Sequence, residues 1–388
     1  MSIHTSYLIN VKRFLFGIIL FLFTQQLKAQ VPADSTAAAD SALLKQVEAQ
    51  MQSPEVPPQQ TRSTLTFNPD IGVVGDFQSS YISKGKRNFD AYLNESEISL
   101  QAVVDPYIRA DFFISFGRDP ETGKYGAEVE EGYLTTLSLP AKLQLKVGKF
   151  REAVGRINPV HPHALPFIDL PNAYVNYFGE EGLNDEGASL SWLVPNNAFY
   201  QELTFQATSG LTDAPAFTRS EGNRFLYLSH LKNFFTLNDN ATLELGLTGI
   251  SGPNTFQRVT NIAAVDITYK WKPLEMNTYK SLAWQSEFYF SHANDSLSGS
   301  MNSLGLYSFV EDQISKRWFL TARYDYAQKP YDKTIKEQAY SLTAGWQATE
   351  FSKIEFEGKT TDDNVGSRYY QGWLRWIFVI GAHGAHQY

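Results

Sequence analysis

The residues whose types and spacing most invite chemistry are two histidines flanking one proline, His161-Pro162-His163. Two apart in a loop, both imidazoles can approach a single zinc ion, which accepts nitrogen ligands in tetrahedral sites. The neighbouring sequence offers no dedicated third ligand, and such a pair more often serves as hydrogen-bonding loop residues. A second pair, His383 and His386, lies near the other end of the chain. The acids Glu180, Glu181, Asp185 and Glu186 share the first pair's segment and suit a cation. Catalysis has little to build on. A Gly-x-Ser-x-Gly elbow, a His-Glu-x-x-His motif and a phosphate-binding glycine loop are all missing, and there is no cysteine nucleophile. Ser229-His230 and Ser291-His292 place a hydroxyl beside an imidazole, but adjacent strand residues point to opposite faces, so neither makes a dyad. The chain reads as a non-enzyme without cofactors.

The elements that must position these residues have a period of two. The mean hydropathy is −0.29, and no stretch beyond the N-terminal region approaches the ~18–20 apolar residues of a membrane-spanning helix. From Ile71 onward apolar and polar residues alternate instead. Ile108, Ala110, Phe112, Ile114 and Phe116 interleave with Arg109, Asp111, Phe113 and Ser115; Val265, Ile267, Tyr269 and Trp271 interleave with Asp266 and Lys270. About sixteen such segments, long enough to cross a bilayer as tilted strands, start near residues 71, 93, 107, 128, 142, 187, 201, 226, 241, 262, 281, 303, 318, 337, 352 and 370. An even number closes an antiparallel sheet without exposed edges. Connections alternate in length, and each of the even-numbered turns is expected to be shorter than the loops beside it. Aromatics such as Tyr324/Tyr326, Tyr369/Tyr370 and Trp373/Trp376 gather near strand ends, as interfacial girdles do. The expectation is an all-β transmembrane antiparallel barrel over 67–388.

Ahead of it, Lys12 and Arg13 precede an apolar run from Phe14 to Phe23, with Ala29 at a cleavage point. Residues 1–29 therefore read as a signal peptide for export. Residues 30–66 read as a periplasmic tail, in which 40–52 has the Leu44, Val47, Met51 spacing of a short helix. Cleavage removes three of 33 basic residues and none of 41 acidic ones, so the net charge moves from −8 to −11. That balance excludes nucleic acid as a partner, because phosphate binding needs clustered positive charge. The expected partners are outer-membrane lipid and small hydrophilic solutes or ions.

If the apolar set faces lipid, the alternate set faces the lumen. It comprises Glu95, Glu97, Arg109, Asp111, Lys146, Glu202, Glu244, Asp266, Lys270, Glu287, Arg323, Asp325, Glu355, Glu357 and Lys359. Charges at this depth need water or a partner, and an acidic lining favours cations. The third loop, 151–186, is long, ordered in composition and rich in prolines and aromatics. It is expected to fold inward as a constriction, with Arg151, Arg156, Glu180, Glu181, Asp185 and Glu186 at the narrowing.

Several stretches resemble a porin family. Val147-Gly148-Lys149-Phe150-Arg151 running to Gly155, and Ala322-Arg323-Tyr324-Asp325-Tyr326, are similar to segments of the phosphate-selective porin O/P family. His161-Pro162-His163, Gly179-Glu180-Glu181-Gly182-Leu183-Asn184-Asp185-Glu186-Gly187 and Ile380-Gly381-Ala382-His383-Gly384-Ala385-His386 resemble a group labelled zinc-regulated TonB-dependent outer membrane receptors. The porin resemblance implies a sixteen-stranded homotrimer whose third loop constricts a passive channel. It also implies phosphate selectivity, but that rests on an arginine ladder, and the lumen set here is acidic. The receptor label implies a plugged 22-stranded barrel, for which residues 30–66 leave no room. The reading is a channel for small hydrophilic solutes with a mild cation preference, the alternative being an uptake pore for a metal ion or chelate such as zinc.

Overall fold

The computed structural model describes residues 69–84, 88–119, 122–212, 214–218, 225–295, 299–366 and 368–381. The expected signal segment 1–29, the tail with its helix at 40–52, and the His383/His386 pair lie outside the described residues.

Sixteen strands form one closed sheet in which each pairs antiparallel with its chain neighbours and the last returns to the first. They are β1 (Asp70–Ile82), β2 (Phe89–Asp105), β3 (Ile108–Arg118), β4 (Tyr125–Thr136), β5 (Leu143–Arg151), β6 (Asn184–Leu193), β7 (Tyr200–Thr208) and β8 (Leu226–Asn238). Then follow β9 (Ala241–Pro253), β10 (Val259–Trp271), β11 (Ser281–Asp295), β12 (Gly299–Ser315), β13 (Trp318–Lys329), β14 (Asp332–Thr349), β15 (Ser352–Asp363) and β16 (Tyr369–Gly381). Closure satisfies every strand edge, which a bilayer demands because it offers no water to an unpaired amide. Each strand begins within five residues of the position expected from the alternation.

The side-chain alternation sorts the two faces. On β13, Thr321, Arg323, Asp325 and Ala327 are buried, while Leu320 points outward. Leu342, Phe356, Leu374 and Trp376 of the neighbouring strands are half exposed or more on the exterior. A continuous belt of exposed apolar side chains round a closed barrel is a lipid-facing surface, far larger than the apolar patches soluble monomers tolerate.

One expectation about the connections needs correction. The β10–β11 turn, 272–280, is longer than the loop before it, 254–258, and β13 passes to β14 through Pro330 and Tyr331 alone. The reason is strand overhang. β9 to β14 continue their ladders past the positions where the alternation weakens, so residues that read as loop are paired.

Candidate functional site

Between β5 and β6 the chain turns into the barrel. Its apolar residues explain why. Val154, Ile157, Leu165, Phe167, Tyr174, Tyr177, Phe178 and Leu183 are at most 4% exposed. They pack on inward residues of the wall, Leu226, Ile250, Ile262, Tyr289, Tyr307 and Phe309. Phe178 meets the Tyr289 ring edge-on at 5.3 Å and Tyr174 at 5.7 Å. Burying each large side chain contributes about 1.5–3 kcal/mol, so this part of the lumen carries a hydrophobic core of its own. A short helix, α1 (Asn172–Phe178), supplies three of the aromatics. Pro171 precedes it, and Gly179, at φ 82°, ends it.

Polar contacts then tie the loop to ten strands round the circumference. His161 reaches Glu97 of β2 and Glu131 of β4. The Ala153 amide donates to Gln206 of β7 at 2.9 Å, and the Gly155 amide to Thr248 of β9. The Arg156 and Ile157 amides donate to the Glu287 carboxylate of β11. Tyr177 donates to Ser303 of β12, and Asn176 accepts from Lys329 of β13 and donates to Glu337 of β14. Glu357 of β15 accepts from the Ile168 and Asp169 amides. Arg375 of β16 donates to the Pro162, Leu165 and Phe167 carbonyls. The close approach at Gly155 (φ 55°) requires glycine, because a Cβ there would lie 2.1 Å from a Glu287 carboxylate oxygen.

Inside the loop, Asn158 is the hub. Its Oδ1 accepts from the Tyr174 hydroxyl (2.6 Å) and the Leu183 amide (2.9 Å), and its Nδ2 donates to the Glu152 and Leu183 carbonyls (2.7 and 2.9 Å). Beside it Glu152 is fully buried; burial pushes its carboxyl up to about 8, helped by the nearby Asp185 charge and opposed by the Thr208 hydroxyl and Arg151. Glu152 thus holds its proton at neutral pH.

The lumen charges fall into networks. Arg323 is buried over the Phe167 ring (4.5 Å) and bridges Asp325, Asp169 and Glu357. Lys359 also reaches Asp169, and Arg375 pairs with Glu355. Arg109 pairs with Asp111 at 2.8 Å. Arg156, on the loop, faces Glu244 at 3.6 Å, which also meets Lys232.

A second kind of cluster sits where the loop crosses β2 and β4. In the β3–β4 pairing Phe113 lies opposite Glu131 and Ile114 opposite Val129, so Glu130 is the extra residue of a bulge. The bulge turns two consecutive acids inward, both 5% exposed. His161 Nδ1 lies 2.7 Å from Glu97 Oε2 and 3.5 Å from Glu130 Oε1; its Nε2 lies 2.8 Å from Glu131 Oε1. His163 Nδ1 is 3.9 Å from Glu97 Oε2. Arg151, also buried, pairs with Glu130.

The residues expected at the constriction therefore have unlike fates. Arg156 faces the lumen wall. Arg151 is sealed against Glu130 and donates to the Glu181 carbonyl. Asp185 is 3% exposed and accepts from the Gly210 and Leu211 amides and the Ser209 hydroxyl, so it braces the chain as it leaves β7. Glu186 alternates outward with Ala188 and Leu190 because β6 already begins at Asn184. Glu180 and Glu181 are exposed where the loop leaves α1. Of the wall set, Glu97, Asp111, Asp266, Glu287, Arg323 and Asp325 are buried on the inner face; Glu95, Arg109 and Lys146 are partly exposed there. Glu130, Glu131, Asn158 and Arg375 were not foreseen. The adjacent acids of Glu128-Val129-Glu130-Glu131 break the period of two inside a strand, which is the mark a bulge leaves in sequence.

No protein-family model matches the chain. An uncharacterized protein of Aquifex aeolicus is 30% identical over 344 residues, covering 78% of this chain and 71% of that protein. Solved structures share the fold at low identity. The outer membrane channel DcaP of Acinetobacter baumannii aligns over 80% of this chain and 96% of its own (TM-score 0.57, 10% identity). An anion-selective porin from Comamonas acidovorans aligns over 80% and 98% (TM-score 0.56, 9% identity). The outer membrane protein OpdK from Pseudomonas aeruginosa aligns over 80% and 98% (TM-score 0.52, 9% identity).

Proposed function

This chain belongs to the same family as the Aquifex aeolicus protein and has the fold of outer-membrane porins, and from those premises we propose that it is a porin-like outer-membrane channel for small hydrophilic solutes, narrowed by its third loop. The observation that carries this reading is the loop's attachment to ten strands inside a closed barrel. A purely structural barrel does not need a polar, circumferentially anchored loop at its centre.

Selectivity follows from charge. Thirteen acids against four lysines and arginines are buried in the described residues, and with Glu152 holding its proton the other twelve set a field that favours cations. The partly exposed inward charges are mixed in sign: Arg156, Lys232, Lys270 and Lys353 stand among Glu202 and Glu311. The preference is therefore mild, and the acidic balance does not suit the phosphate selectivity of the resembling porins. A homotrimer, as those porins imply, is the assembly that accompanies this reading.

The test is single-channel recording of the refolded protein in a planar bilayer under a potassium chloride gradient. Stepwise conductance with a reversal potential on the cation side is expected. Absence of conductance from a correctly folded barrel overturns the channel reading, and anion selectivity overturns the charge argument.

A further inference from the structure

The cluster at the loop's crossing of β2 and β4 sets three buried carboxylates, among the described residues, against one guanidinium and the His161 ring. Glu97, Glu130 and Glu131 are each at most 5% exposed, and Glu95 lies beside them. Arg151 is the one arginine or lysine paired with the set among the described residues. Two carboxylate oxygens buried there, Glu97 Oε1 and Glu130 Oε2, have no hydrogen-bond partner among the described residues. Buried carboxylates left in that condition are expensive unless a cation compensates them.

We propose that Glu97, His161, His163 and Glu130 form a binding site for one divalent transition-metal ion of the zinc class. The donor set, two imidazoles and two carboxylates, suits zinc and its neighbours better than magnesium or calcium. Glu97 Oε2 lies near both His161 Nδ1 and His163 Nδ1, and Glu130 Oε1 lies near His161 Nδ1. Their separations of 2.7, 3.5 and 3.9 Å bracket the value expected for a tetrahedral ion, for which ligands at about 2.0–2.1 Å lie about 3.4 Å apart. Glu97, His161 and His163 offer ligand atoms that all lie within 4.8 Å of one another, and side-chain torsions bring the Glu130 carboxylate to them.

The support around these ligands is that of a metal site. A ligating histidine uses one ring nitrogen for the ion and gives its other N–H to a carboxylate, which fixes the tautomer. His161 has that arrangement: Nδ1 turns to the ligands, while Nε2 lies 2.8 Å from Glu131 Oε1. Glu131 is held in turn by the Arg151 amide at 3.0 Å. The Phe113 ring covers His161, with centroids 4.9 Å apart, and shields the site. The ligands come from two distant parts of the chain, barrel wall and loop, so an ion bound here clamps the inward loop to β2 and β4. The site does not depend on the channel reading, because binding is measurable whether or not the barrel conducts.

The experiment uses the refolded full-length protein, stripped with a chelator, with His383 and His386 replaced by alanine so that the tail cannot contribute. Calorimetric titration with zinc alone is expected to give one site per chain, and cobalt(II) the visible absorption of a four-coordinate ion. His163→Ala should weaken zinc at least tenfold. This variant leaves the Glu97–His161–Glu131 chain in place, so the barrel folds. Glu97→Gln should abolish the site. Absence of stoichiometric binding to the folded parent protein overturns the proposal, as does binding that survives both substitutions unchanged.

Discussion

Replacing Asn158 with alanine should open the third loop without unfolding the barrel. The side chain makes four hydrogen bonds, all within the loop, at a site with no solvent exposure. At a net ~0.5–1.5 kcal/mol each, and with the partners left behind in a dry interior, the loss comes to about 4 kcal/mol. Since ~1.4 kcal/mol is tenfold in an equilibrium constant, the population of the undocked loop should rise by roughly two to three orders of magnitude. Tyr174→Phe removes a single one of these bonds and should cost about 1 kcal/mol, a rise of less than tenfold. Trypsin reads the difference. Arg156 is followed by Ile157, which is 3% exposed in the docked loop, so cleavage after Arg156 requires undocking. When reclosing outruns cutting, the cleavage rate follows the open population. The expected order of rates is Asn158→Ala far above Tyr174→Phe, and Tyr174→Phe above the parent. Equal rates in all three, with barrels folded alike, would refute the view that Asn158 holds the loop.

Phe178→Ala deletes a fully buried ring from the loop core and should cost ~3–5 kcal/mol, seen as larger single-channel conductance with little change in barrel unfolding. Leu342→Arg, outward near the middle of β14 and 59% exposed, should destabilise the barrel in lipid by ~2–4 kcal/mol in urea unfolding; a null effect there would mean the face is not in contact with lipid. Glu180→Gln with Glu181→Gln removes two exposed loop acids and should move the reversal potential toward that of a non-selective pore. Glu152 gives a pH dependence. Its carboxyl is held near 8 in the docked loop against an ordinary 4.5, so between these values the undocked loop ionises first and docking weakens as pH rises. Trypsin cleavage after Arg156 should therefore increase toward pH 8 and level off above it, and Glu152→Gln should flatten that dependence.

The barrel was legible because its signal is redundant. Every strand repeats the same alternation, and a strand shifted by one residue would put Leu342 or Phe356 inside and Thr343 or Glu357 in lipid. The lumen charges came with it, since Asp266, Glu287, Arg323 and Asp325 are simply the other phase of the same pattern. The loop was legible only in outline. Length, prolines and aromatics announced an ordered inward segment, but the residues that hold it act over long range. Glu287 and Glu357 accept loop amides from residues more than a hundred positions away, and no local pattern marks such an acceptor. Two of the four acids expected at the constriction, Asp185 and Glu186, lie in a strand instead, for a different reason. Asp185 and Glu186 read as loop because glycines surround them, yet β6 had already started, and strand parity sent one inward to brace Ser209 and the other outward.

Docking of the loop and closure of the barrel rest on separate interactions, and that separation bears on function. The barrel is held by its ladder of backbone hydrogen bonds and by lipid, neither of which involves residues 152–183. The loop is held by its own aromatic core and by carboxylates that the wall contributes from the lumen side. A change in the wall's inner face, such as at Glu287 or Glu97, therefore alters where the loop rests while leaving the strand register intact. A change on the outer face does the reverse. In such an architecture the width and charge of the passage can be retuned by single inward residues at little cost to folding. The corollary is that inward substitutions should separate conductance from unfolding stability, whereas outward ones should move stability with conductance unchanged.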